Sequence, residues 1–160
     1  MLNWLQIKIQ SLAKGPVMLI LLVVVITLRV VMGLPNDPFG LNPELERAGV
    51  QILDLQIGYT PDEAYRQLEA LGETGRSAYA RMLIGGDFLF PLGYSLLFAT
   101  IAAWLLARVV PPDHWAQKLS LIALIAGVCD WIENILQLAM IWSFPQRLDG
   151  IAWLSSWIKI

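Results

Sequence analysis

The chain has 160 residues, 57% of them apolar and 15% charged, with a mean hydropathy of +0.60 and a net charge of −2. Soluble domains average about 45–50% apolar and about 25% charged residues, so this is the composition of an integral membrane protein in one domain, 1–160. Thirteen acids against eleven bases exclude a basic nucleic-acid surface, one cysteine (Cys129) excludes a disulfide framework, and one histidine (His114) leaves no His-rich metal cluster.

The N-terminus places Leu2, Leu5, Ile9 and Leu12 at helical spacing with Trp4 beside them. That pattern reads as a short helix lying in the membrane interface, or else as a frayed tail. Residues 16–34 form the first apolar run. A helical span needs about 20 such residues. Lys8 and Lys14 before it resemble a signal peptide, but the run is long, Arg29 interrupts it and no A-x-A site follows, so a retained helix is expected.

Segment 35–81 carries four Arg against eight acids. Asn42-Pro43-Glu44 is a cap followed by a first-turn proline. Thr60-Pro61-Asp62-Glu63 is a full capping box with proline at the first helical position, and Gly72 ends that helix. Tyr65, Leu68 and Leu71 share its apolar face, while Glu63, Arg66 and Glu69 face water. So few large apolar side chains make a poor independent core. The segment reads as an amphipathic lid on the bundle, or as two helices that simply tie spans together. A second helix from about Glu73 is expected to run into the second span, 82–107. The third span covers 119–142. Residues 148–160 reach about 20 Å, short of a ~30 Å core. They are either a half-helix or the start of a fourth span within which the chain stops, and the second is the expectation.

The fold expected is therefore all-α: a polytopic transmembrane helix bundle of three full spans plus a partial or truncated fourth, with a short extracytoplasmic helical lid. Lys8, Lys14, Arg108 and Lys118 put the N-terminus and the 108–118 connector in the cytoplasm, with 35–81 and the turn 143–147 outside. The seven tryptophans fit a membrane interface.

Ionisable residues within spans are costly and usually face the bundle interior. Arg29 and Asp87 each lie roughly 7–8 Å below the outer boundary and carry opposite charge, so an Arg29–Asp87 pair is the simplest arrangement that satisfies both. The alternative for Arg29 is snorkelling. Asp130, Glu133, Asn134 and Gln137 follow at i, i+3, i+4 and i+7, one polar stripe. Matching depths of spans two and three sets Asp87 opposite Gln137, Tyr94 opposite Asp130, Ala99 near Gly127 and Ala103 near Ala123. Pro91 removes one backbone hydrogen bond in the same stretch. The ligand-lining set expected is Asp87, Tyr94, Asp130, Glu133, Asn134 and Gln137. Phe88, Phe90, Tyr94 and Trp131 wall an apolar ligand or pack as ordinary bundle aromatics. No cofactor or metal is expected.

These residues support a binder of a lipid or small hydrophobic cation, or a hydrogen-bond network that only holds helices together. A membrane enzyme with Asp130 or Glu133 as general acid/base lacks a nucleophile or metal set. A proton relay and a scaffold that assembles as a homo-oligomer or with a membrane partner are further readings. Residues 58–97 (GYTPDEAYRQLEALGETGRSAYARMLIGGDFLFPLGYSLL) followed by CDWIEN at 129–134 resemble a group of small bacterial four-helix membrane proteins. The shared motifs are the GYTPDEA segment, D-x-x-F-P-x-x-Y (Asp87, Phe90, Pro91, Tyr94) and D-x-x-E-N (Asp130, Glu133, Asn134). The resemblance covers about residues 45–145. It implies a bacterial cytoplasmic membrane and no established activity. The architecture is also similar to the emopamil-binding and sigma-2-receptor-like family, which implies binding of sterols or hydrophobic amines against buried carboxylates. The sterol isomerases of that family use an intramembrane histidine, whereas His114 lies in a connector.

Overall fold

The computed structural model describes residues 2–34, 49 and 51–158. The capping motif at Asn42-Pro43-Glu44 lies outside the described residues. Among the described residues every regular element is helical: α1 (Leu2–Leu12), α2 (Gly15–Met32), α3 (Pro61–Ala70), α4 (Gly72–Ile84), α5 (Gly86–Val109), α6 (Ile122–Ser143) and α7 (Asp149–Ile158). Two 3₁₀ segments, Leu53–Leu55 and Trp115–Leu121, complete them. Three helical stretches are long and apolar enough to cross a membrane, Gly15–Met32, Gly72–Val109 and Trp115–Ser143, which marks an integral membrane protein. The second is longer than the span read from sequence because α4 and α5 are separated by Gly85 alone.

Two compact units divide the chain. The first comprises Met1–Leu28 and Phe90–Val128. Its core packs Ile9 of α1 against Ala99 and Ala103 of α5 and against Leu121, with Leu5, Ala123 and Leu124 around them. Small residues at four-residue spacing let backbones approach closely. Here that approach is made at Gly127, where an added Cβ would stand 2.8 Å from the Cβ of Ser95 and 3.0 Å from the carbonyl oxygen of Pro91. Ala99, which matched depths set near Gly127, lies one turn farther along α5. Gly93 does the same for α2: a Cβ there would meet Val25 at 3.2 Å. Most of α2 is otherwise exposed Leu, Ile and Val, as a lipid-facing helix requires.

Gln117 closes the C-terminal end of α5. Its Nε2 donates to the carbonyl of Val110 at 2.8 Å, one of the orphan acceptors a helix end leaves, and its Oε1 accepts from Gln10 of α1 at 3.2 Å. Leu2, Trp4 and Ile7 of α1 remain more than half exposed, so α1 buries one narrow stripe rather than the whole apolar face.

The second unit comprises Arg29–Leu89 and Cys129–Ile160. Its largest core joins Tyr65, Leu68 and Leu71 to Ala78, Tyr79, Met82 and Leu83 of α4, Met140 and Ile141 of α6, and Ala152 of α7. The segment that is too poor in apolar side chains to form a core alone therefore borrows one from α6 and α7. The capping box is complete. Thr60 Oγ1 accepts from the Glu63 N–H, and a Glu63 carboxylate oxygen accepts from the Thr60 N–H at 2.7 Å. Gly72 follows with φ +63°, a conformation glycine adopts without a Cβ clash. Tyr65, Leu68 and Leu71 are buried, and Glu63, Arg66 and Glu69 are exposed, as the pattern required.

Candidate functional site

The candidate site of the second unit begins with a defect in α5. Pro91 has no N–H, so the carbonyl of Asp87, four residues earlier, loses its helical donor. In an apolar span an unmet carbonyl has no water to turn to. Asn134 of α6 supplies the donor: its Nδ2 lies 2.9 Å from the Asp87 carbonyl oxygen. One helical turn back along α6, Trp131 Nε1 donates to the Phe88 carbonyl at 2.8 Å, and the two rings stack with centroids 5.4 Å apart. The polar stripe of α6 thus answers the backbone break of α5.

A separate chain of hydrogen bonds runs through Gln137. Gln137 Nε2 donates to Glu133 Oε1 at 2.6 Å, and Gln137 Oε1 accepts from the hydroxyl of Tyr79 on α4. That hydroxyl in turn accepts from the backbone N–H of Asp54 at 2.9 Å. Glu133, Asn134 and Gln137 are at most 4% exposed and Asp87 is 9% exposed. Asp130 is half-buried. Burial of this many polar groups is tolerated where each is bonded.

A second set ties residues 58–70 to α7. The Tyr59 hydroxyl donates to Ser155 Oγ at 2.8 Å, and the Tyr59 N–H donates to Ser156 Oγ at 2.9 Å. The Leu148 N–H donates to the Tyr65 hydroxyl at 2.5 Å, and Arg147 forks between Asp62 at 2.6 Å and Asp149 at 2.9 Å. Burial raises the Tyr59 pKa to about 12, the Ser155 hydrogen bond opposing the rise. Glu63 is held below the usual glutamate range, chiefly by the Thr60 N–H.

Of the residues singled out in the sequence, the structure gathers Asp87, Glu133, Asn134 and Gln137 in this unit. Asn134, one turn before Gln137, is the residue that meets Asp87, through the Asp87 backbone carbonyl. Tyr94 belongs to the first unit, its ring tilted against Phe90 at 5.5 Å and Phe98 at 6.1 Å. The expected Arg29–Asp87 pair is not formed: Arg29 is exposed, Asp87 is buried, and no ion pair joins them. The reason is rotational. Equal depth in two spans says nothing about whether two side chains point toward each other, and a long arginine satisfies itself by reaching outward.

Sequence reading missed Tyr79, Asp54, Tyr59, Ser155 and Ser156. The adjacent hydroxyls of Ser155-Ser156 inside an otherwise apolar helix were the available signal. Tyr79 and Asp54 gave none. Among the described residues no three His, Cys, Asp or Glu side chains are grouped to hold a metal ion. Comparison with protein-family models, curated proteins and solved structures finds no match to the chain.

Proposed function

We propose that the chain is a non-enzymatic binder of a lipid or small hydrophobic cation, seated at the polar set of Asp87, Glu133, Asn134 and Gln137 with Asp130 at its margin. The observation that carries this reading is the burial of two carboxyl and two amide side chains, each at most 9% exposed, in helices apolar enough to span a membrane. Intramembrane acids are costly and mark ligand or ion sites more often than not. The charge balance favours a cation: residues 29–89 and 129–160 hold twelve acids and seven bases. The same reading places the N-terminus and the 108–118 connector in the cytoplasm of a bacterial cell. It makes segment 35–81 an extracytoplasmic lid, with α4 running on into the second span, and α7 a partial fourth span.

A structural reading is favoured by Gln137, whose amide is bonded at both ends within the protein. The exposed apolar faces of α2 suit a scaffold or homo-oligomer equally. Native mass spectrometry of the protein as purified in detergent separates them. A discrete adduct on wild type that disappears in Glu133→Gln, with the helical circular dichroism retained, supports binding. A clean apo mass for wild type sinks it and leaves the scaffold.

A further inference from the structure

We propose a second, independent site: a groove at the α1 end of the first unit that holds the headgroup of an acidic phospholipid. Charge segregation comes first. Residues 1–28 and 90–128 contain four bases, Lys8, Lys14, Arg108 and Lys118, and one acid, Asp113. All four bases belong to α1, the residue pair after it, the last turn of α5, or the 3₁₀ segment that packs on α1. None lies in the apolar interior of the spans.

The second observation is a cavity of about 360 Å³ lined by Gln10, Trp104, Arg108 and Gln117, with the small side chains Ala103 and Ala107 completing its wall. Arg108 is held there before any ligand arrives. Its guanidinium lies 3.3 Å from the centroid of the Trp104 ring, and its Nη1 donates to the Trp104 carbonyl at 2.7 Å. The remaining N–H groups of Arg108 have no hydrogen-bond or ion-pair partner among the described residues. A planar, fixed guanidinium with spare donors matches a phosphodiester, which accepts two parallel hydrogen bonds. A neighbouring cavity of about 410 Å³ shares Gln10 and adds Lys118 and His114, with Asp113 as its one acid.

The third observation is the apolar surround. Trp4 is 60% and Trp115 67% exposed, Ile7 and Val109 are exposed too, and Lys8 sits 5.8 Å over the Trp4 ring. Indoles at this density beside basic residues are the signature of the headgroup level of a bilayer. An acidic phospholipid satisfies every part: phosphate on Arg108, net negative charge among four bases, acyl chains along the exposed apolar side chains. Phosphatidylcholine carries its own cation into that field and is disfavoured.

The test titrates delipidated full-length protein in detergent with phosphatidylglycerol or phosphatidylcholine of identical acyl chains and reads the bound fraction by native mass spectrometry. Wild type is expected to bind phosphatidylglycerol in preference. Arg108→Gln lowers that affinity roughly tenfold, the loss of one charge-assisted contact, and narrows the preference over phosphatidylcholine. Arg108→Lys keeps the charge without the fork and falls several-fold, which reads the site even if the glutamine variant does not extract folded. Equal affinity for the two lipids overturns the proposal, as does unchanged phosphatidylglycerol binding in Arg108→Lys. Complete displacement by inorganic phosphate at the same concentration assigns a free-anion site and overturns the lipid.

Discussion

Asn134 donates its side-chain amide to the one carbonyl of α5, that of Asp87, which Pro91 deprives of a helical partner. Proline and asparagine lie on different helices, 43 positions apart, and each makes sense only with the other. A proline inside a span frees a carbonyl that lipid cannot satisfy, and a neighbouring helix must.

This pairing makes a non-additive prediction. Asn134→Ala leaves the Asp87 carbonyl unmet and costs about 1–3 kcal/mol of unfolding free energy. In a Pro91→Ala background residue 91 regains its N–H, and Asn134→Ala costs much less. A double-mutant cycle by denaturant unfolding in detergent checks it, and equal costs in both backgrounds would remove the role assigned to Asn134.

Gly127 predicts a steric limit. An alanine there would press its Cβ on Ser95 and on the Pro91 carbonyl, at 2.8 and 3.0 Å. Gly127→Ala is expected to destabilise by about 1–2 kcal/mol despite alanine's better helix propensity, and Gly127→Val by more. Ser95→Gly makes room for it and restores much of the loss. A melting temperature for Gly127→Ala at or above wild type would show that the helices are not in contact at this point.

Tyr59 predicts loss of stability in alkali. Its pKa is raised to about 12 in the folded protein by burial, against about 10 in an unfolded chain. The stabilisation is fully present below pH 10 and is lost as pH rises through 12, because the unfolded chain gives up its proton first. The melting temperature of wild type should fall through that window, and Tyr59→Phe should fall less steeply. Parallel curves would mean that the hydroxyl titrates freely.

Glu63 predicts the opposite slope in acid. Its folded pKa lies below the ordinary value because the carboxylate accepts from the Thr60 N–H and hydroxyl. That contribution is present above about pH 4.3 and is lost as pH falls through the folded value. Amide-exchange protection of α3, corrected for intrinsic rates, should drop in that range for wild type and stay flat in Glu63→Gln. A drop of the same size in Glu63→Gln would place the titrating group elsewhere.

Much of the fold is legible in the sequence. Long apolar runs make membrane-spanning helices because a span must satisfy its own backbone, and that demand is local. The capping box at Thr60, the stop at Gly72 and the orphaned carbonyl before Pro91 are equally local, set by side chains within four residues. The spacing of Asp130, Glu133, Asn134 and Gln137 as one stripe is legible too, though the structure buries the last three and leaves Asp130 half-buried. The tertiary structure alone decided what those groups meet. It put Asn134 rather than Gln137 at Asp87, because helix register depends on close packing between partners, not on equal depth. It turned Arg29 outward, because rotation of a helix about its axis is set by all its neighbours together. It brought Tyr79 and Asp54 to Gln137, and Ser155 to Tyr59 from 96 positions away. No pattern within any one of those segments encodes a hydrogen bond to the others.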